Sequence, residues 1–364
     1  MRALIAAGGT GGHIYPALAV AQEIMRREPE SKVRFVGTAR GLETRLVPQA
    51  GFELTLIEST GLVNMGLAAR MRGLAILPRS LFAARQLLRS FLPDVVVGAG
   101  GYVTGPVLLT AALLRFPTLV MESNAIPGFT NRRLARFVRA AAVSFEATVP
   151  YFPGKAVVTG NPVRPDFFDI PARQRDGSSI SLLLFGGSQG SRALNEAMIA
   201  ALPLLAGHRE TLHITHQTGP ADFARVQSAY EQVGWLTNAD VREYIDNMVS
   251  AFAKADLIVS RAGATTSAEL AAAGRAAIMV PLPGQMEQQR NAEVLQSAGG
   301  ARMILQSEMS GERLAQEISK LASAPQQITE MERAVRTLAR PGAAAAAVDL
   351  IEQLVGKGQR DEKD

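Results

Sequence analysis

At 364 residues, 47% hydrophobic and 20% charged, the chain is long enough for two buried cores and too apolar to be disordered. It has no cysteine, which excludes disulfides, thiolate metal sites and cysteine nucleophiles and fits a reducing compartment. The net charge of +5 is unevenly spread: residues 1–163 hold 18 Lys+Arg against 9 Asp+Glu, and residues 164–364 hold 20 against 24, so the first half is the one that should meet something anionic.

Apolar β-rich runs alternate with helical patterns, which predicts βαβ units around parallel sheets. Predicted strands in the first half are Ala3–Ala7, Lys32–Val36, Leu54–Ile57, Val95–Val97, Thr118–Met121 and Ala141–Val143. In the second half they are Ser181–Phe185, Leu212–Thr215, Val241–Glu243, Leu257–Ser260 and Ala277–Val280. The apolar start is interrupted at Gly8 to His13, so it reads as a first strand and its loop, not a signal peptide. The uncharged stretch Val95 to Leu114 reaches membrane-spanning length, but its central glycines and Pro106 predict a strand, a tight loop and a buried helix. Two prolines in Gly160-Asn-Pro-Val-Arg-Pro165 place a boundary there, giving domains of 1–163 and 164–341. The alanine-rich stretch from Gly342 to Val355 predicts a final helix. Gly356 to Asp364 predicts a polar, disordered tail.

Two glycine-rich loops each follow an apolar strand and open a helix: Gly8-Gly-Thr-Gly-Gly-His13 and Gly186-Gly-Ser-Gln-Gly-Ser191. Glycines let a backbone approach a ligand, and the following helix N-terminus can hold an anion. Two such loops predict two nucleotide-type domains facing a cleft, as suits an enzyme joining an activated donor to an acceptor. Neither loop is a dinucleotide fingerprint or a P-loop. The plainer reading of each is a structural turn.

His13 sits where its loop enters the helix and can accept a proton near neutral pH, or it can merely position substrate. His213 and His216 point to opposite faces of a strand, so no metal site is expected there. Asp-x-Asp is absent, which leaves diphosphate charge to backbone N–H groups, helix N-termini and arginine. After the strand Leu257–Ser260, the small residues Ala264, Thr265, Thr266, Ser267 and Ala268 allow close backbone approach. Glu269, a turn into the helix, can accept two ribose hydroxyls. Gln288 and Gln289 carry donors and acceptors suited to sugar hydroxyls.

The segment Leu62 to Phe91 holds Arg70, Arg72, Arg79, Arg85 and Arg89, with no acid from Ser59 to Pro93. Leu67, Met71, Leu74, Ile76, Leu77 and Phe82 are interleaved. This reads as a basic amphipathic region for an anionic membrane, or as a helix with one core face and one solvated face. Aromatic residues are only 5%, without a stacking pattern, so nucleic acid is not expected.

In order, these motifs resemble the MurG family of N-acetylglucosaminyltransferases of peptidoglycan synthesis. The resemblance runs over nearly the whole chain. It includes Gly100-Gly-Tyr-Val-Thr-Gly-Pro106, Gly160-Asn-Pro-Val-Arg164, Ile245-Asp246 and Arg261 to Glu269. It implies an α/β GT-B fold of two Rossmann-like domains, with the last helix crossing back to the first. It implies inverting transfer of GlcNAc from UDP-GlcNAc to the 4-hydroxyl of lipid-linked MurNAc-pentapeptide, with no cofactor and no metal. By carry-over, Ser188 meets the diphosphate, the Ile245 backbone reads uracil, Glu269 holds ribose, and Gln288 and Gln289 read GlcNAc. Arg164 lies beside the nucleotide. Thr10, Gly11, Gly12 and Asn124 approach the donor from the first domain, where His13 is the candidate base.

Ile76, Leu77, Arg79, Phe82 and Arg85 would then meet the cytoplasmic face of the cell inner membrane, alongside other wall-synthesis proteins. One departure is visible: many relatives read His-Glu-Gln-Asn where this chain has Met121-Glu-Ser-Asn124, so a role for that histidine or glutamine does not transfer. A UDP-GlcNAc 2-epimerase and a non-catalytic UDP-sugar-binding protein share the fold and are the alternatives.

Overall fold

A strand that is apolar at every position after its first must be covered on both faces, and β1 (Arg2–Ala7) shows how. Its Ala3, Ile5 and Ala7 join one core, and its Leu4 and Ala6 join another, as the period of two requires. The computed structural model describes residues 1–59, 67–175 and 179–361, without the side chains of 67–75 and 357–361. They form two compact units, Met1–Arg164 with Gly342–Asp364, and Pro165–Pro341.

Unit 1 continues with α1 (Gly11–Arg27), β2 (Lys32–Gly37), α2 (Glu43–Gln49), β3 (Glu53–Leu56), α3 (Leu67–Phe91) and β4 (Val95–Gly100). Then come α4 (Thr104–Leu113), β5 (Thr118–Glu122), α5 (Phe129–Leu134), β6 (Ala140–Val143) and β7 (Ala156–Val158). Unit 2 holds β8 (Ile180–Phe185), α6 (Arg192–Ala201), β9 (Leu212–Gln217), α7 (Phe223–Gln232), β10 (Ala239–Arg242), α8 (Met248–Lys254) and β11 (Leu257–Ser260). It ends with α9 (Ala264–Ala273), β12 (Ala276–Met279), α10 (Met286–Ser297), β13 (Ala301–Met303), α11 (Gly311–Ala322) and α12 (Pro325–Arg336). The last helix, α13 (Ala343–Asp361), belongs to unit 1.

Among the described residues, the sheet orders are β3-β2-β1-β4-β5-β6-β7 and β10-β9-β8-β11-β12-β13. Every strand pair is parallel. In both sheets the order reverses beside the first strand, between β1 and β4 and between β8 and β11. Ligands of open parallel sheets bind beyond the carboxyl ends at that reversal. Both glycine loops, after β1 and β8, lie there.

Buried Ala347, Val348, Ile351 and Leu354 of α13 complete the core around α1. Each large apolar side chain so buried contributes roughly 1.5–3 kcal/mol. Arg27 of α1 adds ion pairs to Asp349 at 2.6 Å and Glu352 at 3.2 Å, which count for less because their acids are exposed. This helix corrects the expected disordered tail. It runs past Gly356 to Asp361, where Lys357, Gln359 and Arg360 favour extending an already anchored helix in spite of Gly356 and Gly358; 362–364 lie outside the described residues. Two strands, β7 and β13, were not expected. Both are three-residue edge strands, too short for periodicity to register. Among the described residues, no helix is long and apolar enough to cross a membrane. The Val95–Leu114 run is β4, a glycine turn and α4.

Candidate active site

In unit 1, Thr10, Gly11, Gly12 and His13 form the entry to α1. Thr10 is extended and makes no side-chain capping bond, and the first turn of α1 has no acid. The helix end therefore keeps its attraction for an anion. His13 Nδ1 lies 3.2 Å from the carbonyl oxygen of Gly8. A carbonyl only accepts, so Nδ1 carries the proton and the lone pair is on Nε2. The imidazole rests on Gly100, where φ is +113° and an added Cβ would fall 2.4 Å from His13 Cδ2. The residue as a whole is half-buried. Atoms packed around it strip water away and lower its pKa, which the Gly8 hydrogen bond and the charge of Glu43 partly oppose. His13 is therefore neutral near pH 7, with a basic nitrogen to offer.

Asn124 stands at the carboxyl end of β5, two strands along from β1. Its backbone and side-chain N–H groups donate to Glu122 Oε1 at 2.9 and 3.0 Å, and Asn131 donates to Glu122 Oε2 at 2.9 Å. Burial pushes the Glu122 carboxyl up, against these donors. Met121 is buried in the core. Arg164, the last residue of unit 1's main segment, is exposed.

In unit 2, Ser188 lies exposed in the loop before α6. That loop meets its neighbour closely. A Cβ on Gly190, where φ is +72°, would fall 1.9 Å from the Thr218 carbonyl oxygen, so only glycine fits. Neither α6 nor α9 has an acid in its first turn. Thr265, Thr266 and Glu269 lie on the less buried side of α9, and Ser267 is buried with its hydroxyl on the Gly263 carbonyl. Gln288 and Gln289 occupy the first turn of α10. Gln288 accepts from the Leu282 N–H at 3.0 Å, and Gln289 donates to Glu293 at 3.0 Å.

Three polar side chains to which the sequence assigns no individual role tie these loops together. Gln217 donates to the Gly187 carbonyl at 2.9 Å and accepts the Ile245 N–H at 3.0 Å. The Ile245 N–H is thus engaged within the protein. Arg261 donates to Ser191 Oγ at 2.7 Å, to Gln306 Oε1 at 2.7 Å and to the Val280 carbonyl at 3.2 Å. These acceptors are all neutral, and burial lowers the Arg261 pKa. A half-buried cation on neutral acceptors, beside a glycine loop and a helix N-terminus, keeps its charge available for an anion. Asn291 of α10 donates to the Ala262 carbonyl at 3.1 Å. Glutamine and asparagine inside amphipathic stretches give no local signal of such bridging.

Of the histidines, His213 is exposed and His216 buried, on opposite faces of β9. No group of residues suited to a metal occurs among the described residues. A cavity of about 340 Å³ in unit 2 has Ile245 and Asp246 on its wall, with His213, Thr215 and Lys254. It lies against the sheet face under α8, beside the strands.

Residues 3–143 match the glycosyltransferase family 28 N-terminal domain, and residues 181–354 match the glycosyltransferase family 28 C-terminal domain. The chain is 46% identical to the UDP-N-acetylglucosamine--N-acetylmuramyl-(pentapeptide) pyrophosphoryl-undecaprenol N-acetylglucosamine transferase of Anaeromyxobacter dehalogenans (strain 2CP-C), over 98% of this chain and 93% of that one. Its structure is similar to Acinetobacter baumannii MurG, with a TM-score of 0.81 and 34% identity over 97% of this chain and 99% of that one. The UDP-GlcNAc 2-epimerase of Neisseria meningitidis, at 16% identity and a TM-score of 0.68 over 97% of this chain and 100% of that one, shares the fold alone. With its two Rossmann-like units, this is a GT-B fold, and the chain belongs to the MurG family of glycosyltransferases.

Proposed function

We infer that this chain transfers N-acetylglucosamine from UDP-N-acetylglucosamine to N-acetylmuramyl-(pentapeptide) pyrophosphoryl-undecaprenol, giving the disaccharide lipid. The observation that carries this is 46% identity to a transferase of that name over nearly all of both chains. We assign donor binding to unit 2. The N-termini of α6 and α9, Ser188 and Arg261 meet the diphosphate. Ile245 meets the base, Glu269 the ribose, and Gln288 with Gln289 the sugar; Arg164, at the end of unit 1's main segment, lies beside the nucleotide. Thr10, Gly11, Gly12 and Asn124 meet the donor from unit 1.

The reaction is an inverting displacement. The acceptor 4-hydroxyl attacks the anomeric carbon, its proton passes to His13 Nε2, and the glycosidic bond to UDP breaks with the electron pair leaving on the diphosphate. Each preorganised donor to that leaving group contributes on the order of 3 kcal/mol to lowering the barrier.

The test is UDP release from UDP-GlcNAc with and without the lipid acceptor, with mass spectrometry of the product. Acceptor-dependent release and a disaccharide lipid support the reading. UDP-ManNAc formed without acceptor would instead identify an epimerase, and donor binding without release a binding protein. In the same assay Glu269→Ala should raise the donor KM about 10- to 100-fold, as loss of charged hydrogen bonds predicts. An unaltered KM removes Glu269 from the nucleotide.

Unit 1 meets the membrane that carries the acceptor, with α3 as the contact. Arg79, Phe82, Arg85 and Arg89 recur at near-helical spacing on its exposed side, with Phe82 64% exposed; Ile76 and Leu77 are half-buried. Leu62 lies outside the described residues, as do the side chains of Leu67, Arg70, Met71, Arg72 and Leu74. Basic residues at an anionic surface contribute roughly 1 kcal/mol each. Arg79→Glu with Arg85→Glu should therefore cut binding to phosphatidylglycerol vesicles at least tenfold at low salt. Unchanged binding would return this face to an ordinary solvated role.

A further inference from the structure

Glu43 opens α2, far in sequence from the glycine loop, and is fully buried. One carboxylate oxygen, Oε2, accepts the Gly9 N–H at 2.9 Å. The other, Oε1, accepts the Thr38 N–H and the Thr38 hydroxyl, both at 2.9 Å. All of these contacts are donors, which is what a carboxylate requires. Its pocket is walled by glycines. A Cβ on Gly37 would fall 2.5 Å from Glu43 Cγ, and one on Gly8 would fall 2.7 Å from Oε1. The Gly9 carbonyl is held in turn by the Leu42 N–H at 3.1 Å. A loop could be braced by a neutral amide. A buried carboxylate costs several kcal/mol more unless hydrogen bonds stabilise it, as three do here, and its charge then has a use that an amide lacks.

The use follows from covalent connectivity. The Gly9 N–H that Glu43 holds and the Gly8 C=O that His13 Nδ1 holds are the two ends of one planar peptide group. We propose that Glu43 is a positioning residue for His13, acting through the Gly8–Gly9 peptide. An anionic acceptor on the N–H polarises the amide and makes its oxygen a stronger acceptor, an effect of roughly 10–30% per bond. The stronger acceptor fixes the Nδ1–H tautomer and stabilises the imidazolium that forms when Nε2 takes the acceptor's proton. The logic is that of a carboxylate supporting a catalytic histidine, with one peptide interposed. The other surroundings of the ring leave this role to Glu43: α1 has no acid in its first turn, the β4–α4 turn brings Gly100, and the α2 segment brings Glu43. The charge of Glu43 raises the His13 pKa against the effect of burial.

This inference rests on the reading of His13 as the base, and its test separates the two. In ¹⁵N-labelled wild-type protein the neutral His13 ring should be the Nδ1–H tautomer by NMR. The Nε2–H tautomer would overturn the proposal without any variant. Glu43→Gln, nearly isosteric, should lower the His13 titration midpoint and shift the acid limb of the kcat–pH profile to lower pH. It should reduce kcat roughly tenfold with the donor KM unchanged, in line with the dependence of base catalysis on basicity. In a His13→Ala background the same change should have little effect on kcat. An unmoved His13 midpoint, or an equal kcat loss in both backgrounds, would sink the role of Glu43. Full turnover in His13→Ala alone would instead remove the base reading, while the NMR titration would still report the coupling.

Discussion

Replacing His13 with alanine is expected to lower kcat by about 10²–10⁴, the usual contribution of a positioned general base, while leaving the donor KM within about twofold. The expectation has three structural supports. The Gly8 carbonyl holds Nδ1–H, which leaves Nε2 with the lone pair. Burial lowers the pKa, so the ring is neutral at working pH. Gly100 lies against the imidazole, where an added Cβ would fall 2.4 Å from Cδ2, so the turn bounds the ring on that side. The pH–rate profile should lose its acid limb in the variant, because that limb reports protonation of His13. Steady-state kinetics at saturating acceptor decides the matter. Near-normal turnover with the limb intact would mean that another group takes the proton.

The second large effect is on stability. His216 lies fully buried on β9, with Nε2 3.0 Å from Asn195 Oδ1 and Nδ1 3.1 Å from the Tyr230 hydroxyl. Asn195 uses its N–H₂ on the Thr218 carbonyl and Asp222, both at 2.9 Å, so its oxygen faces His216. Nε2 therefore carries the proton, and Nδ1 accepts from Tyr230. The neutral ring is fully satisfied, and burial pushes its pKa down to about 3 from the ordinary 6.5. Between those values the unfolded chain binds a proton that the native chain does not. Stability is therefore complete above pH 6.5 and falls as pH drops toward 3, at about 1.4 kcal/mol per pH unit.

By pH 4 unit 2 should have lost roughly 3 kcal/mol from this group alone. Trp235, the one tryptophan, is buried in the same core, so its fluorescence reports that unit. Urea melts between pH 7 and pH 4 should show a falling midpoint, and His216→Gln should flatten the dependence although it is less stable at pH 7. An equally steep dependence in the variant would show that other groups carry the acid sensitivity.

Much of this protein is legible in the order of its residues. Near-continuous runs such as Leu182 to Phe185 and Val95 to Val97 are strands because only a doubly covered sheet buries them. The glycine loops after β1 and β8 are apparent because no ordinary side chain tolerates a contact such as that of Gly190 with Thr218. The MurG resemblance was legible as well, because its motifs recur in order from end to end.

The remainder depends on partners distant along the chain. Glu43 reads as an ordinary helix glutamate until folding places it on the Gly9 N–H, 34 residues away. Gln217 lies 28 residues from the Ile245 N–H it accepts, and Arg261 lies 70 residues from the Ser191 hydroxyl. The edge strands β7 and β13 exist because a neighbouring strand offers them a ladder, not because three residues have any preference of their own. Local sequence determined which segments are strands, helices and glycine turns, since hydrophobic period and glycine chemistry act over a few residues. The tertiary structure alone decided which polar side chains brace those turns and how His13 is protonated, since hydrogen bonds and desolvation are set by whatever the fold brings within about 3 Å.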